Sequence, residues 1–180
     1  EIDPDGFIKF ETAGSERLRI DASGNVGIGT SSPDTLAHLA AGAGSAVLRL
    51  ENTDAFLSDG EVVGKIEFET QDAGGAGVNA YIQGAGVSTE GATRLEFGTG
   101  GNNSPSTRMT INSNGNVGIG TISPADLLDI SANGTSAMRL SDSSSPATYA
   151  QITQANGVLT FAADAGNAQT GSNMQFEVDG

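Results

Sequence analysis

Cysteine and tryptophan are absent from this sequence of 180 residues, histidine occurs once and proline five times. The missing cysteines exclude disulfide staples and thiolate metal sites, and a single histidine excludes a cluster of imidazole ligands. Cations are scarce as well: eight Lys and Arg stand against 22 Asp and Glu, for a net charge of −14. A surface with that balance repels phosphate backbones and anionic lipid headgroups, so no nucleic-acid partner is expected. No apolar run approaches the roughly 20 residues that cross a bilayer as a helix, and no membrane insertion is expected. Val, Ile, Leu and Phe together make only 38 residues, 21% of the chain. That sits close to the roughly 20% below which a highly charged chain tends toward disorder. Such a chain buries a thin core by itself, which leaves association with identical chains as the source of stability.

Glycine, by contrast, is abundant at 26 residues, and it is organised. The string "GNVGIGTSSP" at 24–33 returns as "GNVGIGTISP" at 115–124. The similarity extends to both sides, through "RLRIDAS" and "RMTINSN" upstream and through Leu36 on Leu127 and Arg49 on Arg139 downstream. A third lead-in appears as "VLTFAADAGNAQTGSNMQFEV" at 158–178. Ile20 to Ile111 is 91 residues and Ile111 to Val178 is 67, so the first unit carries 24 extra residues. They fall in 59–86 and read as an added pair of strands. The units are then 1–94, 95–158 and the start of a third at 159–180. Val178-Asp179-Gly180 stands where Ile20-Asp21-Ala22 stands in the first copy, so the chain reads as an excerpt from a longer array.

Local patterns are those of strands. Leu18 and Ile20 alternate with Arg17 and Arg19, and Ile66 and Phe68 alternate with Lys65 and Glu67, the period of a half-buried strand. Clusters such as "QDAGGAG" and "TGGNNSPS" supply turn chemistry between these runs. No segment holds a sustained helical period; the only candidates are single turns at 32–36 and 123–127, where Ser precedes Pro. Asn114-Gly115, and more weakly Ser23-Gly24, predict a type I′ hairpin turn. After the turn, Val26 and Ile28 alternate with Gly27 and Gly29, as Val117 and Ile119 do with Gly118 and Gly120. One face of this strand is β-branched and the other bare, which predicts a close approach of another backbone or packed side chain. Val26, Ile28, Val117 and Ile119 are expected to pack toward neighbouring strands, with Leu36, Leu39, Leu127 and Ile130 continuing the interior. A nucleotide cradle requires G-x-G-x-x-G between a strand and a long helix, and neither the spacing nor the helix is present.

Candidate chemistry is sparse. His38, the sole imidazole available to a triad, aligns with Asp129 in the second copy and reads as a solvated strand position. Glu67 and Glu69 share a face at period two, with Glu61, Glu90 and Glu96 nearby, and would be the acids of a glycosidase. No aromatic sugar platform accompanies them, since Tyr occurs only at Tyr81 and Tyr149. "DPDG" at 3–6 lacks the full ligand set of a calcium loop and reads as a turn. "NGT" at 133–135 matches a glycosylation acceptor. Arg17, Arg19, Arg49, Arg94, Arg108 and Arg139 recur beside acids and are expected in cross-strand or interchain ion pairs. No catalytic, metal or cofactor-binding residue is assigned, and no enzyme activity is expected.

The strings "ERLRIDASGNVGIGTSSPDTLAHL" (16–39) and "TRMTINSNGNVGIGTISPADLLDI" (107–130) resemble the GNVGIGT-x-x-P repeats of bacteriophage tail-fibre and side-fibre proteins, common in marine and cyanobacterial phages. Similar repeats also occur in some bacterial surface proteins. The resemblance implies an all-β, elongated tandem β-repeat fibre, intertwined as a homotrimer and located in the virion. Its implied role is a shaft segment that holds a distal receptor-binding tip for host attachment. The implied partners are identical chains, other virion tail proteins, and a host surface glycan or protein reached through regions outside this chain. A bacterial extracellular adhesin or filament subunit and a polysaccharide-degrading tailspike domain are the alternatives.

Overall fold

A computed structural model describes residues 6–87, 91–141 and 149–162. Regular structure among the described residues is entirely β, with no helix. The chain divides into two compact units, Glu1–Arg49 and Leu50–Gly180. The first unit contains one four-stranded sheet in the order β1 (Ile8–Thr12), β2 (Ser15–Ile20), β3 (Val26–Ile28), β4 (Ala37–Leu39). The second unit contains strands β5 (Val62–Thr70), β6 (Gly77–Gly86), β7 (Thr93–Thr99), β8 (Ser106–Ile111), β9 (Val117–Ile119) and β10 (Leu128–Ile130), which form a six-stranded sheet in the order β10-β9-β8-β7-β6-β5. It also contains a three-stranded sheet, β11 (Ser136–Ser141), β12 (Tyr149–Ala155) and β13 (Val158–Ala162).

The 24 extra residues of the first repeat form the hairpin β5–β6, and β6 hydrogen-bonds to β7. Sequence similarity divides the chain at 94, whereas backbone pairing gathers β5 and β6 into the sheet of the second repeat. The two divisions differ because one follows residue identity and the other follows hydrogen bonds.

Both decapeptides build the same device. β2 and β3 are antiparallel with Ile20 opposite Val26, and β8 and β9 repeat this with Ile111 opposite Val117. The turn between them is not type I′. Positive φ is confined to Gly24 and Gly115, at +86° in each, while Ser23 and Asn114 remain outside that region. Gly24 N–H donates to the Asp21 carbonyl at 3.0 Å and Asp21 N–H to the Asn25 carbonyl at 2.9 Å, and Gly115, Asn112 and Asn116 do the same at 3.0 and 2.9 Å. This is a type I turn closed by a left-handed glycine, the usual three-residue hairpin loop. Asp21 and Asn112 decide it: their side-chain oxygens accept the N–H groups of Ser23 and Asn25, and of Asn114 and Asn116, at 2.8–3.0 Å. Asp and Asn at the first turn position hold the backbone this way.

The chain then crosses over and returns parallel. β4 pairs with β3 and β10 with β9, in the same register. Each crossover, 29–36 or 120–127, is shorter than the dozen residues such connections usually need. Two glycines make the short path possible. A Cβ on Gly27 would stand 2.6 Å from the Thr30 carbonyl and 3.4 Å from the Pro33 Cβ, and a Cβ on Gly118 would collide with the Thr121 carbonyl. Gly29 and Gly120, at φ of +76° and +78°, admit the carbonyls of Ala40 and Ser131 where a Cβ would stand. The bare face is thus filled by the backbone that comes after it, and Pro33 and Pro124 are buried there. The expected single helical turns at 32–36 and 123–127 do not form. Thr30 and Thr121 instead accept the Ser32 and Ser123 N–H groups through their hydroxyls, both at 3.1 Å, and the buried proline completes the bend.

Candidate functional site: an open apolar face on every sheet

Because side chains alternate across a strand, each register row belongs to one face of a sheet. In the six-stranded sheet one row runs Ile130, Ile119, Met109, Phe97, Ile82, Ile66, with an apolar residue on every strand. The row beside it reads Leu128, Val117, Ile111, Leu95, Gly84, Gly64. None of these apolar side chains is buried, and Phe68 on the same face is 53% exposed. The four-stranded sheet repeats the arrangement with Phe10, Leu18, Ile28, Leu39 and with Ile8, Ile20, Val26, Ala37, again without a buried member. The three-stranded sheet does so with Met138, Ile152 and Phe161. Leu36 and Leu127 lie in the crossovers and are 77% and 79% exposed.

What the chain buries lies on the opposite, polar face. The row there is Asp129, Gly118, Thr110, Glu96, Gln83, Lys65. Thr110, Glu96, Arg94, Tyr81 and Ala85 are buried. Arg94 Nε donates to Glu96 Oε1 at 2.5 Å, and Arg94 Nη1 donates to Asp59 Oδ1 at 2.6 Å. Gln83 Nε2 at 2.8 Å and Thr107 Oγ1 at 3.3 Å donate to Glu96 Oε2, and the Tyr81 hydroxyl meets Thr107 Oγ1 at 2.8 Å. Burial alone would lower the Arg94 pKa, but the hydrogen bonds it donates to Glu96 and Asp59, with the charge of those carboxylates, outweigh it and hold the pKa above the ordinary arginine value. Arg94 is therefore a permanent cation with two bound carboxylates, a structural group. A cleft of about 280 Å³ beside it is lined by Asp59, Asn112, Asn114, Ile122 and Pro124, and its one cation is already committed to those carboxylates.

The individual candidates scatter. Glu67 pairs with Lys65 at 2.8 Å, Glu69 accepts from Gln71 at 2.8 Å, and Glu61 accepts from Asn52 and from the Ser58 N–H. Among the described acids of the set Glu96 alone is buried, at 4% exposed, and Glu61, Glu67 and Glu69 each bind a partner outside the set. Glu90 and residues 3–5 of "DPDG" lie outside the described residues, as does the side chain of Tyr149. His38 is half-buried on the polar face of the four-stranded sheet, its Nδ1 3.1 Å from Asp34 Oδ1 but without hydrogen-bond angles. "NGT" forms an exposed bend with Gly134 at φ +105°. Among the described residues no group of three or more His, Asp or Glu is placed to hold a metal ion, and no helix is long and apolar enough to cross a membrane.

Two of the arginines expected in cross-strand or interchain pairs bind acids of their own strand within the single chain. Arg19 pairs with Glu16 of its own strand at 2.7 Å and lies over the Phe7 ring, and Arg94 pairs with Glu96 of its own strand. Arg17 donates to the Thr12 hydroxyl at 2.9 Å and Arg108 to the Thr99 carbonyl at 3.1 Å. Arg94 and Glu96, two apart, share a face, so a long cation there reaches an acid along its strand as easily as across it. The buried role of Glu96 escaped sequence reasoning for a related reason. "TRLEFGT" shows the alternation clearly, but period two does not say which of the two faces the chain covers. No protein-family model matches the chain, and no curated protein matches it.

Proposed function

We propose that the chain is a structural shaft segment of the phage tail-fibre kind, an elongated β-repeat fibre that is stable as an intertwined homotrimer. One observation carries the self-association: an apolar row crosses all six strands of the largest sheet, and the chain itself buries none of it. Contiguous apolar surface of this extent marks an interaction face, and a protein whose other faces are acidic and glycine-rich has few other means of stabilising a thin core. The phage setting, the virion location and the number three rest on the resemblance of the GNVGIGT-x-x-P strings. The role is mechanical: stiffness and length hold a receptor-binding tip away from the virion, and contacts to tail proteins and to the host surface are made elsewhere in the fibre. Light scattering on the purified protein tests the reading, with an expected mass three times the 18.1 kDa of the chain. A folded monomer overturns it. Incubation with host capsule is expected to leave polysaccharide length unchanged, and cleavage would overturn the structural role.

A further inference from the structure

The two repeats diverge beyond the crossover. In the second, "SAMRLS" forms β11 and pairs with β12. In the first, the corresponding "SAVLRL" at 45–50 has no strand partner, and every residue in it is exposed, including Val47 at 70% and Leu48 at 65%. A sequence that forms a strand in one copy and lies unpaired in the other lacks an edge to join. β5 ends the six-stranded sheet: Leu50 and Asn52 of the same chain lie against its start at Gly64 and Val62, and beyond them no strand pairs with the outer side of Lys65–Thr70 among the described residues.

Resting on the self-association above, we propose that Ser45–Glu51 is a strand in the assembled protein, added antiparallel to the outer edge of β5 in a second copy. Leu48 then stands opposite Phe68, Arg49 opposite Glu67, Leu50 opposite Ile66 and Glu51 opposite Lys65. Three observations select this register. Leu48 and Leu50 extend the apolar face through Phe68 and Ile66, both largely exposed. Arg49 and Glu51 fall on the polar face, each opposite a charge of the other sign, the pairing that adjacent strands favour. Arg49 has no ion-pair or hydrogen-bond partner among the described residues, and Glu67 is half-exposed and reachable. Addition within one chain would not meet these conditions. Leu50 Cβ already lies 2.5 Å from where a Gly64 Cβ would stand, and Leu50 opposite Gly64 would set Arg49 against Lys65, two like charges. Strand addition to a free edge draws its affinity from main-chain hydrogen bonds and its register from alternate side chains.

The chain lacks cysteine, so introduced pairs report cleanly. Full-length Arg49→Cys and Glu67→Cys chains are mixed, unfolded, refolded together and oxidised, alongside an Arg49→Cys with Lys65→Cys mixture. The expected result is a disulfide-linked pair of chains from the 49/67 mixture, in clear excess over the 49/65 mixture on a non-reducing gel. In parallel, Arg49→Glu is expected to lose assembly at a dilution where the unaltered protein remains assembled, and Arg49→Glu with Glu67→Arg to regain it. Assembly by light scattering with no 49/67 cross-link overturns the strand addition and leaves self-association standing. A 49/65 link within a chain carrying both cysteines overturns it in favour of pairing in cis. A monomer overturns both readings.

Discussion

The two decapeptide copies, carried by β2–β3–β4 and β8–β9–β10, agree bond for bond in their backbones. Val26 N–H meets the Leu36 carbonyl at 2.9 Å as Val117 meets Leu127 at 2.9 Å, and Gly29 meets the Arg17 carbonyl at 3.0 Å as Gly120 meets Arg108 at 2.9 Å. Their apolar rows agree in kind, with Leu18 and Ile28 standing for Met109 and Ile119. They part on the polar face. Arg19, Asp21 and His38 in the first copy are Thr110, Asn112 and Asp129 in the second. The backbone path and the open apolar face are held constant, while the face that each chain covers with its own loops varies. A core facing inward within one chain would constrain the covered face. Here the constraint sits on the face that the single chain leaves open, which is the reason for reading that face as shared between copies.

The largest expected effect breaks the equivalence of the open faces. Ile28→Lys and Ile119→Lys each place a charge in the apolar row, and each is expected to weaken assembly by about 3 kcal/mol if the face is desolvated between copies. Light scattering across a dilution series measures it; if one copy tolerates the lysine, the two faces are not equivalent. Next come the glycines that make the crossover short. Gly29→Ala and Gly120→Ala combine a left-handed φ with collision against a carbonyl and are expected to cost about 3 kcal/mol each in chemical denaturation. Gly24→Ala and Gly115→Ala also fall at a left-handed φ but have open space around the new Cβ, so about 1 kcal/mol is expected of them. Equal losses at all four positions would show that backbone conformation, and not close approach, sets the requirement.

Thr110 sharpens the contrast on the covered face. Its hydroxyl is fully buried without a hydrogen-bond partner, whereas Arg19 at the same place in the first copy is paired with Glu16. Thr110→Val removes an unsatisfied group at nearly constant volume and is expected to stabilise by about 1 kcal/mol, read from the denaturation midpoint. A loss would mean that the hydroxyl is used in the assembled protein.

The smallest effect separates the two turns by pH. Hydrogen bonds from the Asn25, Ser23 and Gly24 backbone and from the Asn25 side chain, the Asn25 N–H foremost, outweigh burial and hold the Asp21 carboxyl below its ordinary pKa. A depressed pKa contributes stability that is present above the unfolded value and is lost as pH falls through about 4 and below. Glu16, lowered chiefly by its hydrogen bond from Arg19, acts in the same direction. Asn112 does not titrate. Asp21→Asn is therefore expected to flatten part of the acid limb of the stability profile, and an unchanged profile would assign that limb to other carboxylates.

Much of this was legible in the residues. Period two in "RLRI", "KIEFET" and "NVGIG" located β2, β5, β3 and β9, the 24 extra residues marked the β5–β6 hairpin, and the bare glycine face announced a close approach. Illegible were the type I turn, which depends on the Asp21 and Asn112 side chains folding back on their own backbone, and the parallel return of β4 and β10. Ser32-Pro33 has the local chemistry of a helix start, and only the packing of Pro33 over Gly27 turns it into a bend.

By itself the sequence determined the all-β character, the repeat and the existence of one apolar and one polar face per strand, because side-chain alternation is a consequence of covalent geometry. Only the tertiary structure decided which face the chain covers. That choice depends on where the crossovers and the Asp59 loop fall, and they fall on the polar side, where the buried glycines accept a carbonyl and Arg94 finds two carboxylates.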